Sequence, residues 1–190
     1  MVKKVVILAS GNGTNAERII SYFKERGTAK VVLVIANNPN AGVLGRCQRL
    51  EVDTMVASRD DFYHNNKVFH QLLSLRPDVI VLAGFLWLLP KEIVSAFHGK
   101  IVNIHPALLP DFGGKGMYGH HVHEAVLKSG QKTSGITIHL VNEKYDEGDI
   151  LFQAKTEITA GETPESLAKK IHQLEHAHFP VVIEQLINEA

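Results

Sequence analysis

The sequence predicts an α/β protein: a mostly parallel, twisted sheet with helices on both faces. Apolar runs without polar alternation recur at residues 5–9, 31–36, 78–83 and 100–104, as expected of strands buried on both sides. Segments of helical spacing separate them, which gives the βαβα order of a parallel sheet. A glycine-rich turn follows the first run directly.

Taken in order, the first strand leads into a helix over 15–26, and the second strand ends in Asn37, Asn38 and Pro39. Cys47 falls in a further apparent helix, as a small buried apolar group. Residues 60–75 read as one helix, with Phe62, Phe69, Leu72 and Leu73 on one broad face. A helix over 91–97 separates the third and fourth strands. Residues 134–141 and 150–157 read as a strand pair joined by a turn-rich segment. Thr163, Pro164 and Glu165 open the last helix with a hydroxyl cap, a proline at its first position and an acid near its positive end. Residues 108–119 form one long irregular stretch with four glycines and a single basic residue, Lys115, and read as a lid.

The bulk numbers fit one domain over residues 1–190. Twenty basic against twenty acidic residues leave no net charge, which argues against a general nucleic-acid binder. A single cysteine excludes an internal disulfide framework or a cysteine metal cluster. The apolar run in MVKKVVILAS is too short for a signal peptide, and no stretch approaches the ~18 apolar residues of a membrane helix. The expectation is a cytoplasmic protein without a membrane partner, as a monomer or a homodimer.

The turn Ser10-Gly11-Asn12-Gly13-Thr14-Asn15 joins a strand to a helix, where backbone N–H groups approach an anion. No acidic residue ends the second strand, which disfavours NAD, and there is no Gly-Lys-Ser/Thr of a P-loop. The flanking donors suit a single phosphate group; a plain capped turn is the alternative.

Within IVNIHPALLP, Asn103 and His105 stand two apart and project to one face of a strand that Pro106 then stops. Polar groups at a strand's carboxyl end are where α/β enzymes usually keep their chemistry. Asp146, in a turn-rich segment, is ordinary turn chemistry unless it meets His105. If it does, the carboxylate favours an imidazolium, which with Asn103 makes a site for an oxygen gaining negative charge. Asp146 then accepts the proton of an attacking amine, and the reaction class is acyl transfer.

The apolar segment 84–90 is either core or the wall of a pocket for a flat heterocycle. Arg59 stands before a helix in Ser58-Arg59-Asp60-Asp61, a capping context. His120, His121 and His123 read as a solvated helix face rather than a metal site, with a pocket-lining imidazole among them as the alternative. On the last helix, His172, Glu175 and His176 fit the zinc-hydrolase spacing H-x-x-E-H. Glu175 also falls on the apolar face, where a carboxylate calls for a partner.

Together these segments resemble the folate-dependent phosphoribosylglycinamide formyltransferases of purine biosynthesis. The matching motifs are SGNGTN at 10–15, LAGFLWLLP at 82–90, NIHPALLP at 103–110, YDEGDIL at 145–151 and LEHAHFP at 174–180. The resemblance implies a Rossmann-like formyltransferase fold with a phosphate-binding N-terminal part and a folate-binding, catalytic C-terminal part. It implies formyl transfer from 10-formyltetrahydrofolate to glycinamide ribonucleotide, without a metal. Asn103, His105 and Asp146 become the catalytic trio. Gly11, Asn12, Gly13, Thr14 and Asn15 take the phosphate and Glu175 the ribose hydroxyls. Arg59, Leu86, Trp87, Leu88 and Leu89 serve the folate, largely through the backbone around the leucines.

Two departures stand out: many members carry a basic residue in place of Trp87, and the 111–119 loop is longer and richer in glycine than in many relatives. Methionyl-tRNA formyltransferases differ by a basic segment after the motif and by a C-terminal tRNA-binding domain, which is not expected after Ala190. Formyltetrahydrofolate deformylases usually carry a second histidine where this chain has Pro106, plus an N-terminal regulatory domain, and form the nearest alternative. A zinc hydrolase and a non-enzymatic ribonucleotide sensor are further ones.

Overall fold

Strand β1 (Lys3–Ala9) divides its side chains between two cores, with Val5, Ile7 and Ala9 in one buried cluster and Val6 and Leu8 in the other. This is the physical meaning of an apolar run without polar positions: alternate residues point to opposite, equally covered faces. The computed structural model describes residues 2–189.

Helix α1 (Thr14–Arg26) leads to β2 (Ala29–Ala36), and α2 (Gly42–Arg49) to β3 (Thr54–Val56). Helices α3 (Arg59–Tyr63) and α4 (Lys67–Leu75) precede β4 (Val79–Leu82), and α5 (Lys91–Ala96) precedes β5 (Ile101–His105). Helix α6 (His120–Lys128), strands β6 (Thr133–Leu140) and β7 (Ile150–Glu157) and helix α7 (Pro164–Glu189) follow. One sheet runs in the order β3-β2-β1-β4-β5-β6-β7. Its first five strands pair in parallel, and β6 is antiparallel to both β5 and β7. Ile19, Val43, Val122 and Leu167 bring α1, α2, α6 and α7 to one face; Phe62, Leu72 and Ile93 bring α3, α4 and α5 to the other.

The chain leaves β3 at one edge and crosses to β4 on the far side of β1, so the connections after β1 and β4 part at a topological switch point. The two turns there are tied together. Ser10 N–H donates to the Gly84 carbonyl at 3.1 Å, and Leu86 N–H to Ser10 Oγ at 3.0 Å.

Four details differ from expectation. Residues 60–75 form two helices, because Asn66 adopts a left-handed backbone (φ 57°) and Asn65 Oδ1 accepts from Lys67 N–H at 3.0 Å. Short amide side chains offer the backbone such alternatives to a continuous helix. Arg59 is the first residue of α3 rather than a residue before it, and Ser58 forms the capping box with Asp61. Strand β3 was not foreseen; it has three residues at the sheet edge, and Val56 is exposed. Finally, α7 passes unbroken through Pro180, although a proline in a helix interior is expected to kink or break it. A proline cannot bond the carbonyl four residues back, and that carbonyl, His176 O, instead accepts from Arg18 Nε at 3.3 Å.

Thr163 caps α7 as expected, its Oγ1 accepting from Ser166 N–H at 3.2 Å. Cys47 is buried in α2, where burial pushes its thiol up to about 11, so it is no nucleophile.

Candidate active site

Asn103 and His105 end β5 on the face opposite to that of Val102 and Ile104, as the alternation requires. The turn after β6 brings Asp146 to them. Its Oδ1 accepts from Asn103 Nδ2 at 3.4 Å, and its Oδ2 lies 3.5 Å from His105 Nδ1. Asp146 has a left-handed backbone (φ 56°), a conformation that non-glycine residues adopt at a cost of about 1–3 kcal/mol and that recurs at functional sites.

The structure adds His139, which the sequence reading missed. It lies opposite Asn103 in the β5–β6 register, and Asn103 Nδ2 is 3.2 Å from His139 Nε2. His139 Nδ1 is 2.8 Å from the Leu140 carbonyl, which can only accept. Nδ1 therefore carries a proton, and Nε2 faces both the Asn103 amide and Asp146 Oδ1, the latter 3.5 Å away. The signal in the sequence was a histidine inside an apolar strand.

The 108–119 stretch crosses this cluster. His105 Nε2 donates to the Phe112 carbonyl at 2.8 Å, and Gly114 N–H donates to Asp146 Oδ2 at 3.0 Å. A Cβ on Gly113 would sit 2.6 Å from Leu109 Cδ2 and 3.3 Å from Asp146 Cβ, so a side chain there would displace Leu109. An open cavity of about 570 Å³ beside it is lined by Leu109, Pro110, Tyr145, Asp146 and Ile150, among others.

The electrostatics revise one expectation. Burial pulls His105 below the ordinary imidazole range, outweighing the opposing pull of Asp146 and of the Phe112 carbonyl. The resting ring is neutral near neutrality, not the imidazolium expected from Asp146 alone; 3.5 Å is too long for a tight ion pair. Burial pushes Asp146 up, but His139, His105 and the Gly114 N–H together hold it below its usual value.

The glycine turn wraps from β1 into α1, with Gly13 in the left-handed N-cap position and no side chain capping the helix. This leaves the first-turn N–H groups for another acceptor and removes the capped-turn alternative. Asn15 Nδ2 donates to Glu175 Oε2 at 2.9 Å, joining the loop to the last helix. Glu175 is only 5% exposed, and its Oε2 also lies 2.9 Å from His172 Nδ1. The hydrogen bond to Glu175 raises the His172 pKa. The partner that a carboxylate on an apolar face calls for is thus Asn15 with His172. Among the described residues no group of three or more His, Cys, Asp or Glu side chains is arranged to hold a metal, and the H-x-x-E-H spacing creates no donor set.

Along 84–90, Phe85 and Trp87 pack on Phe62 at centroid distances of 5.3 and 5.5 Å, and the Arg59 guanidinium lies 4.9 Å over the Trp87 ring. Arg59 thus meets Trp87, and Leu86 adjoins the glycine turn through Ser10. Two of the backbone groups expected to read a heterocycle are already bonded, however. Leu86 N–H donates to Ser10 Oγ, and the Leu88 carbonyl accepts from Tyr63 Oη at 2.6 Å. Leu89 is buried in the core. Glu175 lies against Asn15, so the last helix reaches the glycine turn in the N-terminal part of the chain.

Residues 3–183 match the formyl transferase family, and the chain, a Rossmann-like sheet with this polar cluster at the end of β5, belongs to it. It is 36% identical over 192 residues to the phosphoribosylglycinamide formyltransferase of Bacillus subtilis (strain 168), across 98% of this chain and 95% of that one. The chloroplastic phosphoribosylglycinamide formyltransferase of Arabidopsis thaliana is 39% identical over 193 residues, which cover 98% of this chain and 66% of the plant protein. Among solved structures, glycinamide ribonucleotide transformylase 1 from Geobacillus kaustophilus matches with a TM-score of 0.88 at 34% identity, over 98% of this chain and 100% of that one.

Proposed function

We propose that the protein transfers a formyl group from 10-formyltetrahydrofolate to the amine of glycinamide ribonucleotide, a step of purine biosynthesis. The observation that carries this reading is the convergence of Asn103, His105 and Asp146, from distant parts of the chain, in one buried cluster. Its neighbours suit the two substrates. The uncapped glycine turn with Glu175 fits a ribose phosphate, and the Phe62–Phe85–Trp87 shelf with Arg59 fits a flat, acidic heterocyclic ligand.

When bound, the folate supplies the formyl carbon and the nitrogen that departs. Asn103 Nδ2, on giving up its long 3.4 Å contact to Asp146, and His105 Nε2 donate to the oxygen that gains charge as the amine attacks. The Phe112 carbonyl stands 2.8 Å from Nε2, where such an oxygen would accept, and the loop yields that contact to substrate. The carboxylate of Asp146 and the free Nδ1 of His105 receive the proton lost by the amine, directly or through water, and return it to the departing nitrogen. His139 holds the Asn103 amide in place from across the sheet. The reading keeps a cytoplasmic setting; among the described residues no helix is long and apolar enough to cross a membrane.

A spectrophotometric assay with both substrates tests it. Folate product should form only when the amine-bearing ribonucleotide is present, and His105→Ala should lower turnover on the order of 100–1,000-fold with the fold intact. Folate consumed equally fast without the ribonucleotide would identify a deformylase. Ribonucleotide bound but no folate consumed would identify a sensor.

A further inference from the structure

The glycine turn carries no charge of its own, since residues 10–15 are Ser, Gly, Asn, Gly, Thr and Asn. It is gripped from one side by α2. Arg46 Nε donates to the Asn12 carbonyl at 2.7 Å, and Nη2 donates to the Asn12 side-chain oxygen at 3.1 Å. The remaining nitrogen, Nη1, pairs with Glu17 in the first turn of α1. Beside it, Val43 N–H donates to the Gly11 carbonyl at 3.1 Å. One guanidinium thus spans a loop carbonyl, a loop side chain and the helix that the loop enters.

A trans peptide is planar, with its C=O and N–H on opposite sides. Fixing the Asn12 carbonyl towards Arg46 therefore turns the Gly13 N–H away from α2. Gly13 packs directly against α2, where a Cβ would sit 2.5 Å from Val43 Cβ, so only a glycine fits beside the grip. The grip is directional: it orients one peptide plane rather than merely placing positive charge nearby. Glu17, which also lies 3.7 Å from Arg49, offsets much of that charge.

We propose that Arg46 is a positioning residue for the phosphate end of the substrate, acting through the Asn12–Gly13 peptide without touching the ligand. The inference rests on the ribonucleotide reading above and deepens it. A lysine ammonium is a point charge, whereas the planar guanidinium fork engages several acceptors in one plane. Arg46→Lys therefore separates orientation from charge.

The test is steady-state kinetics of Arg46→Lys and Arg46→Met, with both substrates varied and thermal melting recorded. KM for the ribonucleotide should rise about tenfold or more in both variants. Both kcat and KM for the formyl donor should stay within about threefold of wild type. Wild-type KM in Arg46→Lys would show that charge alone matters and overturn the proposal, as would a loss confined to kcat or no change in either variant. If an Arg46 variant does not fold, Glu17→Ala, which leaves the third nitrogen without its acceptor, decides on the same readout: a raised ribonucleotide KM supports the proposal, and an unchanged one overturns it. Wild-type protein that does not use the ribonucleotide at all would overturn the underlying reading instead, so the two failures are distinguishable.

Discussion

Asn103 and His139 face each other across the antiparallel β5–β6 pair, with the amide nitrogen of one 3.2 Å from the ring nitrogen of the other. The contact sets which way the Asn103 amide points. His139→Ala should therefore lower kcat by about tenfold to a hundredfold, because a freed amide no longer aims at the reacting oxygen. KM for either substrate should change little. Steady-state kinetics with both substrates check this.

The direction of the His105 shift fixes a pH dependence. Burial holds the ring below the ordinary imidazole value, so it remains neutral and able to take a proton as pH falls past about 6.5. Asp146, held low, stays ionised over the same range. The profile of kcat/KM should show an acid limb with its midpoint below about pH 6.5 and a plateau above it. A site that needed a resting imidazolium would instead lose activity as pH rises. Stability carries the same sign. The unfolded chain binds the His105 proton first, so this contribution is full above the unfolded imidazole value and fades as pH falls towards the lowered folded one.

Glu175→Gln keeps the shape of the side chain and removes its charge. The ribonucleotide KM should rise by about tenfold, since the carboxylate orients Asn15 and is free to accept from ribose hydroxyls. The His172 pKa should fall, because its hydrogen bond to Glu175 is what raises it. Wild-type His172 contributes stability below its unfolded value, lost as pH rises through the raised folded one; the variant should lack this dependence. An NMR titration of the ring reads the shift, and kinetics read the KM.

Gly13→Ala should destabilise the protein by about 1–3 kcal/mol through the left-handed backbone alone. The Cβ would also collide with Val43, so the turn must move away from α2. Thermal melting should show a lowered midpoint, with a ribonucleotide KM raised more than the KM for the folate.

The doubly covered strands were legible because burial on both faces leaves an unmistakable apolar run, as in β1 and β4. The Asn103–His105 pair was legible because a strand fixes i and i+2 on one face and Pro106 fixes where the strand stops. His139 was not, since its role comes from the residue opposite it in another strand. Phe112 contributes a carbonyl, and backbone groups leave no mark in side-chain chemistry. The break at Asn66 was hidden because the apolar spacing of α4 continues in phase with that of α3. The neutral resting His105 follows from how deeply it is buried, which the neighbouring residues in the sequence do not report.

Asn15, Arg18, Tyr22 and Arg26 follow one another at helical intervals along α1, and each bonds to α7: to Glu175, to the His176 carbonyl that Pro180 leaves open, and, for the last two, to Glu184. The chain's beginning and its end are laced together along this seam. Loosening the terminal helix should unmoor the glycine turn, the proposed seat of the nucleotide, before any strand comes apart. Damage near the tail should therefore be felt first as weakened grasp of the acceptor and only afterwards as collapse of the sheet.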